Sequence, residues 1–246
     1  VTYLNVSACH IGRLGLASLA TAVSKTNIIS LNMSSNLSVH ASSNTLTGVN
    51  DKVGASIAKL ISESVSLTHL DISGNALLLD ELNEIHTAIS CNNTLTCLNL
   101  SKTTLTSRSA RTLAYSLMAN KSGGNIVDLD ISNNKLDARS VDDFANLLSH
   151  CNCSHLEKLD VSGNSLDNTT AMKFGQSLRS ENCFLRHLSL NAIPRAKELG
   201  YEQIKCDGIR ALMEGAANTK RLKRLELEGN YIRSSGANSF SQLIDR

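Results

Sequence analysis

Few side-chain groupings in this sequence could carry chemistry. His150-Cys151-Asn152-Cys153-Ser154-His155 has the residue types that hold zinc. Its C-x-C spacing is tighter than the usual C-x2-C knuckle and no second half-site is visible, so no metal is expected. Asp128 and Asp130 face the same way on one strand, the arrangement of an acid–base pair. Nothing apolar in the nearby sequence would shift either pKa, so a solvated strand face is expected there. Asp142 and Asp143 are expected to open a helix, where the helix dipole favours carboxylates. Lys220, Arg221, Lys223 and Arg224 form a basic cluster suited to phosphate or an acidic partner, but Glu226 and Glu228 follow at once and neutralise it. No G-x-x-x-x-G-K, G-x-S-x-G or H-E-x-x-H occurs. The expectation is a protein that is not an enzyme and uses no cofactor.

Bulk composition narrows the class. The chain has 246 residues, 41% hydrophobic and 19% charged, with one proline, which argues for order. A net charge of +2 does not advertise a nucleic-acid or membrane surface. No apolar run is long enough for a transmembrane helix, and Val1-Thr2-Tyr3-Leu4 does not open a signal peptide. Both ends fall inside a repeating unit, so the chain reads as part of a larger protein. The seven cysteines are odd in number and irregular in spacing, which is not a disulfide framework. They fit small buried hydrophobes in a reducing, cytoplasmic compartment. N-x-S/T matches such as Asn5, Asn32 and Asn99 fall in expected strands, where a glycan would block the inner face.

The elements that position these residues come from repetition. Leu156-Glu157-Lys158-Leu159-Asp160-Val161-Ser162-Gly163-Asn164-Ser165-Leu166 reads L-x-x-L-x-L-x-x-N-x-L. The first leucine of its inner L-x-L recurs at Leu4, Leu31, Leu70, Leu98, Leu129, Leu159, Leu188 and Leu225, 27 to 39 residues apart. L-x-L alternation is strand periodicity. About a dozen residues on, an i, i+3, i+4, i+7 stripe follows, as in Leu82, Ile85, His86 and Ile89, or Ala171, Phe174, Gly175 and Leu178. Each unit is therefore a strand, a turn and a helix of about three turns. Parallel strands sit about 4.8 Å apart and packed helices about 8–10 Å apart, so the stack must bend with strands inside. The fold class is α/β: a leucine-rich repeat horseshoe of about eight repeats, forming one domain over residues 1–246. The asparagine that closes each strand stands at Asn36, Asn75, Asn134, Asn164 and Asn230. Cys9 and Thr103 are tolerable substitutes, and Ile193 predicts a local irregularity.

Two units are over-long. Extra residues lie near 37–52 and near 193–206, the second carrying Pro194, Arg195, Lys197, Tyr201 and Glu202. Such insertions leave one edge of a repeat array, often a binding edge, which makes Arg195, Lys197 and Tyr201 candidate protein-binding residues. The residues flanking the inner leucines face the concave side. Their leading column is Tyr3, Ser30, His69, Cys97, Asp128, Lys158, His187 and Arg224. The middle column is Asn5, Asn32, Asp71, Asn99, Asp130, Asp160, Ser189 and Glu226, and the trailing column runs from Ser7 to Glu228. The candidate protein-binding surface is Tyr3, His69, Asp71, Asn99, Asp128, Asp130, Lys158, Asp160, His187, Arg224 and Glu226, with an acidic centre and one aromatic residue.

Repeats of this length with a full helix resemble the ribonuclease-inhibitor-like class of leucine-rich repeats. Leu98-Asn99-Leu100-Ser101-Lys102-Thr103-Thr104-Leu105-Thr106, Ser116-Leu117-Met118-Ala119-Asn120 and Leu129-Asp130-Ile131-Ser132-Asn133-Asn134 resemble consecutive repeats of CARMIL proteins, cytoplasmic regulators of actin filament capping. That resemblance implies a scaffold near the plasma membrane or cytoskeleton with actin-regulatory protein partners. The disordered, basic, proline-bearing segment with which that family binds capping protein has no counterpart in this sequence. Leu4-Asn5-Val6-Ser7-Ala8-Cys9-His10-Ile11 is similar to repeats of NOD-like immune receptors, which implies ligand sensing. Ran GTPase-activating proteins share the horseshoe, but no residue here matches their functional positions.

Overall fold

The computed structural model describes residues 1–37, 52–120, 125–134, 136–149, 155–193, 198, 200 and 202–241. The metal-type stretch 150–154 lies outside them, as do Arg195, Lys197, Tyr201 and nearly all of the segment 37–52. Eight three-residue strands, β1 (Tyr3–Asn5), β2 (Ser30–Asn32), β3 (His69–Asp71), β4 (Cys97–Asn99), β5 (Asp128–Asp130), β6 (Lys158–Asp160), β7 (His187–Ser189) and β8 (Arg224–Glu226), form one parallel sheet in sequence order. Between and after them run α1 (Gly12–Val23), α2 (Val53–Glu63), α3 (Leu79–Ile89), α4 (Ser107–Ala119), α5 (Ala138–Ser149), α6 (Asn168–Leu178), α7 (Cys206–Ala217) and α8 (Ser234–Ala237). The first seven have the expected three turns. α8 is a single turn followed by a 3-10 turn over Asn238–Phe240, and the end of the sequence stripe at Ile244 lies outside the described residues. The molecule is an α/β solenoid of repeats, and among its described residues no helix is long and apolar enough to cross a membrane.

Register follows the leucines. Leu4, Leu31, Leu70, Leu98, Leu129, Leu159, Leu188 and Leu225 stand side by side across all seven strand pairs. The six inner ones are buried under the helical stripes, which pack in the order α1 to α7. Hydrophobic burial of this strand–helix seam holds each unit to its neighbours. At α6 and α7 the packing is backbone to backbone: a Cβ on Gly215 would lie 2.1 Å from the Gly175 carbonyl oxygen.

The exit of each strand is fixed by side chains acting on backbone. Asn164 Oδ1 accepts from the N–H groups of Asn134 and Leu136, and its Nδ2 donates to the carbonyls of Val161 and Ile131. Asn36, Asn75 and Asn134 do the same one repeat apart, and each is buried. This ladder satisfies backbone groups that the turn would leave orphaned. Thr103 reproduces only the donor half, giving its hydroxyl to the Leu100 carbonyl at 2.7 Å. In the seventh repeat Ile193 replaces the asparagine, and its side chain has no oxygen to offer the N–H groups of Asn164 and Leu166, the counterparts of those that Asn164 holds in the repeat before. The residue before the ladder position adopts left-handed backbone at Gly74 and Gly163, and also at Ala8, Ser35, Lys102 and Asn133, where a Cβ makes that conformation costly.

Helix starts are set by local caps. Asp167 Oδ1 accepts from Thr170 N–H at 2.8 Å, and Asp137 Oδ1 accepts from Ser140 N–H at 3.0 Å. The second of these corrects one expectation. α5 begins at Ala138, so Asp142 and Asp143 lie a turn inside it rather than at its opening. Their charges are held instead by cations on neighbouring helices, Lys173 for Asp142 and Arg111 for Asp143.

Candidate functional site

The strand register brings the leading and middle columns onto the concave face as two continuous rows. Tyr3, Ser30, His69, Cys97, Asp128, Lys158, His187 and Arg224 align, and so do Asn5, Asn32, Asp71, Asn99, Asp130, Asp160, Ser189 and Glu226. All eleven concave residues singled out from the sequence therefore share one surface. A shallow basin of about 330 Å³ opens on its first half, between Tyr3 and Asp130. Tyr3 is 60% exposed at one end, and the Asp128 and Asp130 side chains form the other. His69 is exposed, and its Nδ1 lies 2.7 Å from the Thr68 hydroxyl, which orients the ring.

The middle column has a second task. Asn5, Asn32, Asp71, Asn99, Asp130 and Asp160 each accept, through Oδ1, the backbone N–H two residues on, at 2.8–2.9 Å. Each closes a small side-chain turn that starts the bend away from the sheet. Asn and Asp serve equally because only an acceptor oxygen at that distance is needed.

Electrostatics divide the face. Lys158 Nζ lies 2.9 Å from Asp128 Oδ2, and that hydrogen bond holds the ammonium above its ordinary pKa. Asp130 contradicts the expectation of an unshifted carboxyl. Burial pushes its pKa up, against the lowering pull of the Ser132 N–H and hydroxyl, and the carboxylates of Asp160 and Asp71 add to the rise. Side chains standing close together on parallel strands shield it from water, although the sequence around it is polar. Burial likewise raises the Cys97 thiol, with Asp128 nearby contributing.

The last two strands carry a network that sequence reasoning missed. The Ser189 hydroxyl joins the Ser162 hydroxyl at 2.8 Å and donates to Glu226 Oε2 at 2.8 Å, while Asn191 Nδ2 reaches the same oxygen. Arg224 pairs with Glu226, and these contacts, led by the Ser189 hydrogen bond, hold the Glu226 carboxyl below its usual range. His187 Nε2 lies 3.5 Å from Glu226 Oε1 without hydrogen-bond geometry. The visible signal was the change of the middle column from Asn/Asp to Ser189 and Glu226, in the same stretch as the loss of the ladder asparagine at Ile193.

The basic cluster is dispersed. Arg221 stacks on the Phe184 ring, 3.7 Å from its centroid, and donates to the carbonyls of Glu181 and Cys183. Arg224 turns to Glu226 on the concave side. Among the described residues no group of three or more His, Cys, Asp or Glu is placed to hold a metal.

A family model described as "Leucine Rich repeat" matches residues 63–80, 91–114 and 152–175. No curated protein sequence matches the chain significantly. Among solved structures, a chain described as the actin-binding site 2 of leiomodin-1 is similar over 59% of this chain and 79% of its own, at 15% identity and a TM-score of 0.42. An internalin from Listeria monocytogenes is similar over 98% of this chain at 17% identity and a TM-score of 0.41, and 64% of its length is spanned.

Proposed function

The chain is a leucine-rich-repeat protein, and on that footing we propose that it is a non-catalytic scaffold whose concave sheet binds protein partners. The observation that carries this reading is the pair of in-register rows, Tyr3 to Arg224 and Asn5 to Glu226, on the face of the sheet opposite the helices that bury the inner leucines Leu31 to Leu188. Such a row offers many weak polar contacts over a long surface, which suits a protein chain better than a small molecule. Tyr3, His69, Asp71, Asn99, Asp128, Asp130, Lys158, Asp160, His187, Arg224 and Glu226 form the proposed contact surface, and Arg195, Lys197 and Tyr201 of the second insertion are proposed as further protein-binding residues. Residues 1–246 act as one domain in this reading. The non-catalytic character is supported by the engagement of Asp128 with Lys158, which removes the carboxylate that would partner Asp130 in proton transfer.

The scaffold is further proposed to serve an actin-cytoskeleton regulator of CARMIL type in the cytoplasm. The similarity of the segments Leu98–Thr106, Ser116–Asn120 and Leu129–Asn134 to that family supports this. The free thiols of Cys9, Cys91, Cys97, Cys183 and Cys206 are consistent with a reducing compartment. The test is affinity purification from cell extract on the immobilised protein, beside a variant carrying Tyr3→Ala and His69→Ala. Recovery of cytoskeletal regulators that the variant fails to retain is the expected result. Recovery of none, or equal recovery on both, would sink the proposal.

A further inference from the structure

Resting on the reading of the concave face as a docking surface, we infer that its partner is a basic segment of protein whose arginine and lysine side chains lie across Asp71, Asp130 and Asp160. The turn at the end of each strand needs an acceptor oxygen and no charge, and Asn5, Asn32 and Asn99 supply it without one. At β3, β5 and β6 the same position carries aspartate, so three carboxylates line one row that the scaffold would fill equally well with asparagine. Like charges on neighbouring strands disfavour one another; burial raises the Asp130 carboxyl, and the carboxylates of Asp160 and Asp71 add to that rise. Among the described residues no lysine or arginine pairs with any of the three. The cations of this face are directed elsewhere, Lys158 to Asp128 and Arg224 to Glu226. Asp71 and Asp130 line a basin that the exposed Tyr3 ring also lines, a surface on which a guanidinium stacks.

Dimensions fit an extended chain. With strands about 4.8 Å apart, Asp71 to Asp160 spans about 14 Å, the reach of about four extended residues. Each incoming cation would lie against a carboxylate of like charge to its neighbours, so charge complementarity favours a basic partner over an acidic one.

The probe is a fluorescein-labelled decapeptide of alternating arginine and glycine, followed by anisotropy, with a glutamate–glycine decapeptide as its counterpart. The variant Asp71→Asn, Asp130→Asn, Asp160→Asn keeps every turn acceptor. A control variant, Asp80→Asn, Glu181→Gln, Asp207→Asn, removes the same charge from exposed helical and loop positions. The expected result is binding of the arginine peptide that weakens about tenfold or more in the concave variant, little change in the control, and no binding of the glutamate peptide. Equal weakening in both variants, or binding of both peptides, overturns the inference. A random peptide library selected on the protein separates the two levels of the argument. Binders that lack basic residues yet are lost with Tyr3→Ala and His69→Ala leave the docking face standing and remove its basic partner. A library with no binder sensitive to those substitutions removes both.

Discussion

Replacing His86 by leucine should stabilise the protein, and by an amount that grows as the solution is acidified. His86 sits on the inner stripe of α3, fully buried, and neither ring nitrogen has a hydrogen-bond partner. Several other repeats place alanine or glycine at this stripe position, at Ala20, Ala114, Ala145 and Gly175, and α7 places Met213 there. Desolvation lowers the His86 pKa from 6.5 to about 4. The ring is therefore neutral in the fold at neutral pH, and its one N–H is buried without an acceptor, which costs about 1–3 kcal/mol. Leucine is of similar size and carries no such donor.

The pH dependence follows from the lowered value. Between pH 6.5 and about 4 the unfolded chain binds a proton at His86 and the folded chain does not. Stability therefore falls as pH drops through that window. A shift from 6.5 to about 4 amounts to about 3 kcal/mol between the two protonation states. Urea denaturation of wild type and His86→Leu at a series of pH values from 7 to 4 measures it. The packing difference between the side chains does not depend on pH, so it cancels when the stability gap is compared across the series. The gap should widen by about 2–3 kcal/mol on acidification. Parallel stability curves would refute the claim that His86 stays neutral in the core, whatever the offset between them.

Other perturbations test the scaffold. Leu129→Asp places a charge in a fully buried strand–helix seam and should unfold the central repeats, seen as loss of the cooperative melting transition. Gly215→Ala puts a Cβ 2.1 Å from the Gly175 carbonyl oxygen, so α6 and α7 must separate; a loss of about 1–3 kcal/mol by denaturation is expected, and an unchanged midpoint would contradict the packing. Asn164→Ala orphans the N–H groups of Asn134 and Leu136 together with the Val161 carbonyl, for a loss of about 2–5 kcal/mol. Hydrogen exchange should rise first at those two amides, and uniform protection would rule out the ladder.

The repeat is legible because two periods overlap without conflict. L-x-L fixes which strand residues face inward, and the following 3.6-residue stripe fixes what covers them, so the register of Asp71, Asp130 and Asp160 follows from leucine positions alone. What escaped the pattern depends on distances across repeats. The start of α5 was misplaced because the acidic pair Asp142–Asp143 was more conspicuous than the cap Asp137 with Ser140 three residues later. Periodicity placed His86 correctly and still hid its cost, since a stripe records where a residue points and not whether its nitrogens find partners. The Asp130 shift was invisible for a similar reason: its shielding comes from strands 30 or more residues away in sequence.

The double use of the middle column decides how the face must be probed. Alanine at Asp130 removes the turn acceptor for Ser132 N–H along with the charge, so a binding loss in that variant would not distinguish a misshapen strand exit from a missing carboxylate. Asparagine removes the charge alone. The reverse exchange is more telling. Asn99→Asp keeps the acceptor for Ser101 N–H and adds a carboxylate between Asp71 and Asp130. Like charges opposite one another on neighbouring strands cost about 0.5 kcal/mol each, so two neighbours make the variant about 1 kcal/mol less stable at neutral pH. A carboxyl whose folded pKa is raised costs stability as pH rises past its unfolded value, and so the penalty should fade when the melt is repeated near pH 3.5. The same added charge should tighten the arginine peptide several-fold while leaving the glutamate peptide unbound. A variant that lost stability without gaining affinity would place the three native aspartates in the turns alone, and the acidic row would then have no ligand to answer.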